Sequence, residues 1–245
     1  MSTFITYKNL GETPLEALER VREENNISPT ERMTYAGRLD PAAEGTLLIL
    51  SGDDVHKKES LNSLPKTYIA EIVFGIQTDT DDLLGICEEA QKIETAPEIK
   101  NVLPKFLGTR MQSFHQFSSK SQDGKPLWEH ARENNHLEIP EHSITIDEIS
   151  IFGESNITRE DLLLRIGTIA SMVKQDFRQK EILASFENLE PDSFPTAILK
   201  ISCSSGTYIR VLVREISEVI KVPIVIGKLV RTSVGEFSAP ECAIL

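Results

Sequence analysis

Apolar positions along the chain mark out short strands and a few helices. Residues 66–74, Lys66-Thr67-Tyr68-Ile69-Ala70-Glu71-Ile72-Val73-Phe74, have strand composition. At 143–152 the residues Ile144, Ile146, Ile149 and Ile151 mark an edge or half-buried strand. Residues 197–203 read as another strand. The near-apolar run from Gly45 to Leu50 suits a buried strand or helix segment. Thr13-Pro14-Leu15-Glu16 opens a helix with proline in the first turn, and Asn25-Asn26 ends it near Glu24. Val211, Val213, Ile216 and Ile220 make 208–220 an amphipathic helix. Residues 158–187 are helical in pattern behind a capping-box-like Thr158-Arg159-Glu160-Asp161, with a division expected near Gly167 or Gln175-Asp176. Shorter helices are expected at 96–106 and 126–134. Residues 34–41 and 77–85 read as loops, and a last apolar segment, 222–230, precedes Gly235-Glu236-Phe237. Strands and helices mix without strict βαβ alternation, which points to an α+β fold.

Composition narrows the class. With 245 residues, 40% hydrophobic and 26% charged, the chain can bury a sizeable core. No apolar run reaches the roughly 18 residues that a spanning helix needs. A basic start followed by an apolar segment is absent from the N-terminus, so the expected location is the cytoplasm. Cys87, Cys203 and Cys242 are far apart, and neither a disulfide framework nor a zinc site is expected. The net charge of −12 is awkward for a nucleic-acid partner, but binding needs only a local basic face. Lys66, Arg210, Arg214, Lys228 and Arg231 are expected to form one, with the acidic stretches 81–98 and 129–148 turned away.

Three local motifs can carry chemistry. Gly37-Arg38-Leu39-Asp40-Pro41-Ala42-Ala43-Glu44-Gly45 sets an aspartate on a shaped loop, where a carboxylate can be held rigidly in a cleft. Asp-Pro also opens ordinary helices, so a capping role stays open. Ser204-Ser205-Gly206-Thr207-Tyr208-Ile209-Arg210 joins a strand to a helix. Its amides can receive an anion, and Arg210 can grip a carboxylate bidentately; an ordinary turn is the alternative. Lys66-Thr67-Tyr68 sets an aromatic ring near a strand start, a position more often filled by a core residue.

In this order the motifs resemble those of the TruB-type tRNA pseudouridine synthases, whose pattern is G-x-L-D-P-x-A-x-G, then K-x-Y, then S-x-G-T-Y-I-R. Tyr7-Lys8-Asn9-Leu10-Gly11-Glu12-Thr13 looks like the family's Y-K-P-x-G-x-T. Gln112, Phe117, Ser118, Gly124, Lys125, Leu127 and Trp128 match its Q-x-P-P-x-Y-S-A…G-K-x-L-Y-E segment. The resemblance implies a pseudouridine synthase fold: α+β, with a mixed or antiparallel central sheet, flanking helices and a catalytic cleft. It implies isomerisation of a uridine in RNA, most directly the T-loop uridine of tRNA, with no cofactor or metal. Asp40 would be the catalytic carboxylate, Tyr68 would stack on the base and help remove the C5 proton, and Arg210 would keep Asp40 ionised. Tyr35, Arg38, Lys66, Tyr208 and Leu229 would contact substrate.

The chain also departs from the pattern. Tyr35 stands where the family has a histidine, and Phe114-His115 replace two prolines. Bacterial members end in a small RNA-binding PUA domain, whereas this chain stops shortly after Phe237. The expectation is therefore one catalytic domain over 1–245, monomeric and without a PUA domain, with a helical insertion around 158–187. That insertion holds Arg159, Arg165, Lys174, Arg178 and Lys180, and reads either as an RNA-backbone contact or as a solvated flap. Three other readings compete. Arg38-Leu39-Asp40 also resembles the motif of RluA- and RsuA-type synthases acting on other RNAs. A catalytically silent RNA-binding or chaperone protein on the same fold is a second, and a hydrolase using Asp40 is a third, although no second carboxylate stands out for it.

Overall fold

The computed structural model describes residues 2–133 and 137–244. The strands are β1 (Ser2–Lys8), β2 (Met33–Ala36), β3 (Ala43–Ser51), β4 (Lys66–Phe74), β5 (Ile76–Thr78), β6 (Cys87–Ala90), β7 (Gly108–Ser113), β8 (Ser121–Gln122), β9 (Lys125–Pro126), β10 (Glu141–Thr158), β11 (Ser193–Cys203) and β12 (Ile224–Val234). The helices are α1 (Pro14–Glu24), α2 (Lys58–Asn62), α3 (Leu127–Arg132), α4 (Arg159–Met172), α5 (Gln179–Ser185) and α6 (Ile209–Ile220).

An eight-stranded sheet runs β1-β3-β12-β4-β11-β10-β7, with β2 added on β3. The β3–β12 pairing is parallel and the others are antiparallel, so the fold is α+β with a mixed central sheet. One face of β4, β10 and β11 buries Ile72, Phe74, Ile146, Leu199 and Ile201 against Leu212, Val213 and Ile216 of α6. A second cluster sets Val73, Phe194 and Val225 against Leu162, Ile166 and Ile169 of α4 and Ile182 of α5. The strand β3 is covered on both sides: Leu47 and Ile49 meet α1, and Leu48 and Leu50 meet a third cluster with Leu61 and Leu64. Burial on both faces explains its continuous apolar run, which lacks the alternation of a half-exposed strand.

The helix start at Thr13 is a full capping box, in which Thr13 and Glu16 each satisfy the other's backbone N–H. Two helical expectations shrink. Residues 96–106 form a 3-10 turn only at Leu103–Phe106; Pro97 and Pro104 remove donors and disfavour α geometry just before them. Residues 126–134 form α3, and the expected end at Asn134 lies outside the described residues. The stretch 158–187 divides after Met172, where Val173 is extended, and Gly167 stays inside α4. No described helix is long and apolar enough to cross a membrane.

Gly45 sets the geometry beside the site. It lies at φ +115°, opposite Arg231 in the parallel pairing, and a Cβ there would overlap the Arg231 backbone. Only glycine lets β3 and β12 approach this closely.

Candidate active site

The 37–42 loop joins β2 to β3 and carries Asp40. Three contacts hold it. Gly11 N–H donates to Pro41 O at 2.9 Å, Ala43 N–H donates to Asp40 O at 3.0 Å, and Arg231 Nη1 donates to Arg38 O at 2.9 Å. Arg231 is 1% exposed, and its Nε also donates to Thr46 O. The loop is therefore clamped onto β3 and β12, and the Asp40 carboxylate, 44% exposed, projects into a cleft.

The cleft encloses about 190 Å³. Tyr68 and Lys66 of β4, Leu229 and Arg231 of β12, and the 204–210 turn ahead of α6 line it together with Arg38 and Asp40. Tyr68 and Arg231 are register partners across β4 and β12. Burial raises the pKa of the Tyr68 phenol, and the nearby Arg231 charge works the other way. The Lys66 ammonium donates to the carbonyls of Asn62 and Leu64, and burial first, then Arg231, lowers it to about 8. The 204–210 turn is tied by Ser204 to Thr145, by Ser205 to Asn62 O, and by Tyr208, whose N–H donates to Gln112 Oε1. The Tyr208 ring packs edge-on to Phe114 and His142.

Arg210 opens α6 and is 4% exposed. Its Nη2 lies 2.7 Å from Asp40 Oδ2. The rest of the guanidinium is spread over other partners. Nη1 donates to Thr80 O at 3.1 Å and meets His115 Nδ1 at 3.2 Å; Nη2 also donates to Phe117 O, and Nε lies 3.8 Å from Asp82 Oδ2. Five groups thus converge on one buried cation. Burial alone would lower its pKa, yet Asp40, Asp82 and Asp81 together raise it, so Arg210 stays charged.

Here the expectation about charge distribution fails at two residues. Asp81 and Asp82 belong to the stretch expected to lie away from the cleft, but both are buried behind Arg210. Asp82 accepts from Thr80 Oγ1 and Leu84 N–H, both at 2.9 Å. Asp82 approaches Arg210 and Asp81 pairs with Arg214, so the start of the acidic stretch packs against the two arginines of α6. The basic face is also thinner than expected. Arg214 pairs with Asp81, and Lys228 pairs with Glu44 and lines neither cavity.

A second cavity of about 490 Å³ adjoins Asp40. Tyr35 lines this one, along with Arg38, Trp128, Arg132 and the 175–178 segment that links α4 to α5. Tyr35 carries Arg38 and Lys58 over its ring at 5.9 and 5.8 Å. Two members of the site were missed in the sequence. Asp82 had a signal, the threonine–aspartate run Thr78-Asp79-Thr80-Asp81-Asp82 after a buried strand. His115 had none. Arg231, expected in a basic face at the cleft, does line it, but as a clamp on the Asp40 loop.

Residues 25–172 match the family model described as TruB family pseudouridylate synthase (N terminal domain). The chain belongs to that family. Proteins named tRNA pseudouridine synthase B are similar along nearly all of it. The one from Bacillus pumilus is 31% identical over 244 residues, covering 98% of this chain and 67% of the relative. The one from Listeria welshimeri is 31% identical over 238 residues, 96% and 67%. That of Bacillus subtilis is 28% identical over 246 residues, 97% and 66%. Among solved structures, a chain of a Cbf5-Nop10-Gar1 complex superposes with a TM-score of 0.60 at 16% identity, over 98% of this chain and 50% of that one. The chain in an H/ACA RNP bound to a substrate RNA containing 2'-deoxyuridine gives 0.55 at 16%, over 98% and 49%. This chain thus spans about two thirds of the bacterial relatives and about half of the solved chains, and it shares its fold with the solved structures.

Proposed function

We propose that this protein isomerises a uridine of RNA to pseudouridine, and that its substrate is the T-loop uridine of tRNA. The observation that carries the reading is the Asp40 carboxylate, held at 2.7 Å by a buried arginine on the wall of a cleft that also presents Tyr68. The family and the name of the bacterial relatives support it, and the tRNA target rests on those relatives alone.

The target uridine leaves its stack and its base enters between Tyr68 and Leu229. Asp40, paired with Arg210 at 2.7 Å, acts at the ribose as nucleophile on C1′ or as base. The C1′–N1 bond breaks and its electron pair leaves with the uracil; an Asp40–C1′ ester formed in this step is broken again when C5 attacks C1′ and the carboxylate departs with the bonding pair, and a ribose proton taken by Asp40 acting as base is returned in the same way. The base turns, C5 bonds to C1′, the C5 proton leaves with help from the Tyr68 hydroxyl, and N1 ends protonated. Atoms and electrons balance without redox change. Arg38, Tyr35 and Tyr208 contact the RNA around the flipped base, and Lys66 shapes the wall, its ammonium being held by backbone carbonyls. We read residues 1–245 as one catalytic unit whose 158–187 insertion packs on the sheet.

Incubation with unmodified tRNA transcripts, followed by mapping of pseudouridine at single-nucleotide resolution, tests the proposal. Conversion of the T-loop uridine is expected. Conversion at another RNA position keeps the chemistry and removes the target; binding without conversion leaves a silent RNA-binding protein.

A further inference from the structure

His115 has no part in the chemistry above, is 0% exposed, and stands where the family pattern has proline. Both of its ring nitrogens are engaged. Nδ1 accepts from Phe117 N–H at 3.0 Å and faces Arg210 Nη1 at 3.2 Å, while Nε2 lies 3.0 Å from Asp81 Oδ2. Two N–H donors converge on Nδ1, so that nitrogen carries no proton, and the Nε2 hydrogen points to Asp81. Burial, with Arg210 and Arg214 close by, holds the imidazole neutral by pulling its pKa well below the usual histidine range.

Asp81 is fixed in turn. Its backbone sits at φ +59°, its carbonyl accepts from Ile226 N–H of β12 at 3.0 Å, and its Oδ2 is shared with Arg214 Nη1 at 3.2 Å. The result is a continuous chain of contacts, Asp81 to His115 to Arg210 to Asp40, running from β12 to the cleft.

From this chain we infer that His115 is a positioning residue: oriented by Asp81, it presents a fixed acceptor to Arg210 and so aims the guanidinium at the Asp40 carboxylate. The inference rests on the reading of Asp40 and Arg210 as the working pair. Arg210 Nη1 has one other acceptor, Thr80 O, and Arg210 Nε lacks a hydrogen-bond partner. Removing the imidazole leaves Nη1 with Thr80 O alone and loosens the guanidinium, whose Nη2 still holds Phe117 O, and misplacement of about 1 Å at such a site costs on the order of 100-fold in rate.

The arrangement also makes turnover sensitive to pH through Asp81, whose carboxyl burial pushes up to about 7 against the opposing charges of Arg214 and Arg210. The charged groups facing this pair are Arg210 and Arg214 from α6, Asp82 from its own loop and Glu88 from β6. When Asp81 gains a proton it loses the negative charge that draws the Nε2 hydrogen and Arg214, and the imidazole is held less firmly against Arg210. Turnover should fall as pH drops through about 7.

The test compares His115→Ala, His115→Asn, Asp81→Asn and Asp40→Asn in single-turnover assays on tRNA, with tRNA affinity and thermal melting measured alongside. The asparagine at 115 keeps an acceptor near the place of Nδ1. Expected are a turnover loss of about tenfold or more in His115→Ala with affinity within about threefold, substantial rescue by His115→Asn, and loss of the acid limb near pH 7 in Asp81→Asn. If His115→Asn and a folded His115→Ala both turn over within twofold of wild type, or if Asp81→Asn leaves the acid limb in place, the inference is overturned. Asp40→Asn separates the two readings: full activity in that variant removes the Asp40–Arg210 pair itself, whatever His115 does.

Discussion

Asp40→Asn keeps the shape of the side chain, its backbone tie to Ala43 and an acceptor for Arg210, and removes the charge. Turnover should vanish while the melting temperature and tRNA affinity stay close to wild type. Activity within tenfold, a barrier change of only about 1.4 kcal/mol, would take Asp40 out of the mechanism. Tyr68 can be divided the same way. Phenylalanine keeps the ring on the cleft wall and loses the hydroxyl, so Tyr68→Phe should slow turnover with affinity nearly unchanged, while Tyr68→Leu weakens both. A Phe variant with normal turnover leaves Tyr68 a packing role. These residues were legible in the sequence because each sits in a short motif whose residue types suit its chemistry. Asp82 and His115 were not, since their importance comes from facing Arg210 across sequence gaps of 128 and 95 residues.

At the scale of elements, two features govern how the site is held. The parallel contact of β3 with β12 depends on Gly45. In Gly45→Ala the new methyl group meets the Arg231 backbone and the residue sits at a strained positive φ. A loss of about 2 kcal/mol or more in unfolding free energy is expected from denaturant titration, with turnover falling because the Asp40 loop shifts. The link from α4 to α5 is the second feature. Arg178 pairs with Asp79 at 2.7 Å and lies 5.0 Å over the Phe117 ring, so it holds the link against the loop that carries Asp81. Lys174 is 79% exposed and only loosely paired with Glu16 at 3.6 Å. The two cations should therefore separate. Arg178→Ala should cost about 1–2 kcal/mol of stability. Lys174→Ala should leave stability alone and, if the link touches RNA, reduce the salt slope of tRNA binding by roughly 1. An unchanged slope makes this segment structural. Here too the sequence showed helical periodicity and the Thr158 cap, but not that two of the segment's basic residues are paired with carboxylates of other elements: Arg165 with Glu71 and Arg178 with Asp79.

Across the whole molecule, the net charge of −12 and the engagement of Arg210, Arg214, Lys66 and Arg231 in internal contacts leave few free cations near the cleft. Affinity for tRNA should still fall with salt, but with a shallower slope of log Kd against log salt than a protein making 6–10 phosphate contacts shows. A steep slope would reveal a basic face away from the two cavities described. What the sequence by itself determined about this protein was local and ordered: the strand at 66–74, the capped helix at 14–24, the amphipathic helix at 208–220, and three motifs in an order that resembles one family. Each depends on side-chain periodicity, capping or short-range spacing, which survive in a linear reading. The tertiary structure decided the rest. It set β12 between β3 and β4, divided the two cavities around Asp40, and drew Asp81 and Asp82 behind Arg210. A net charge adds residues together wherever they lie. A buried guanidinium selects its partners by distance, and only the fold brings carboxylates from remote parts of the chain within reach of it.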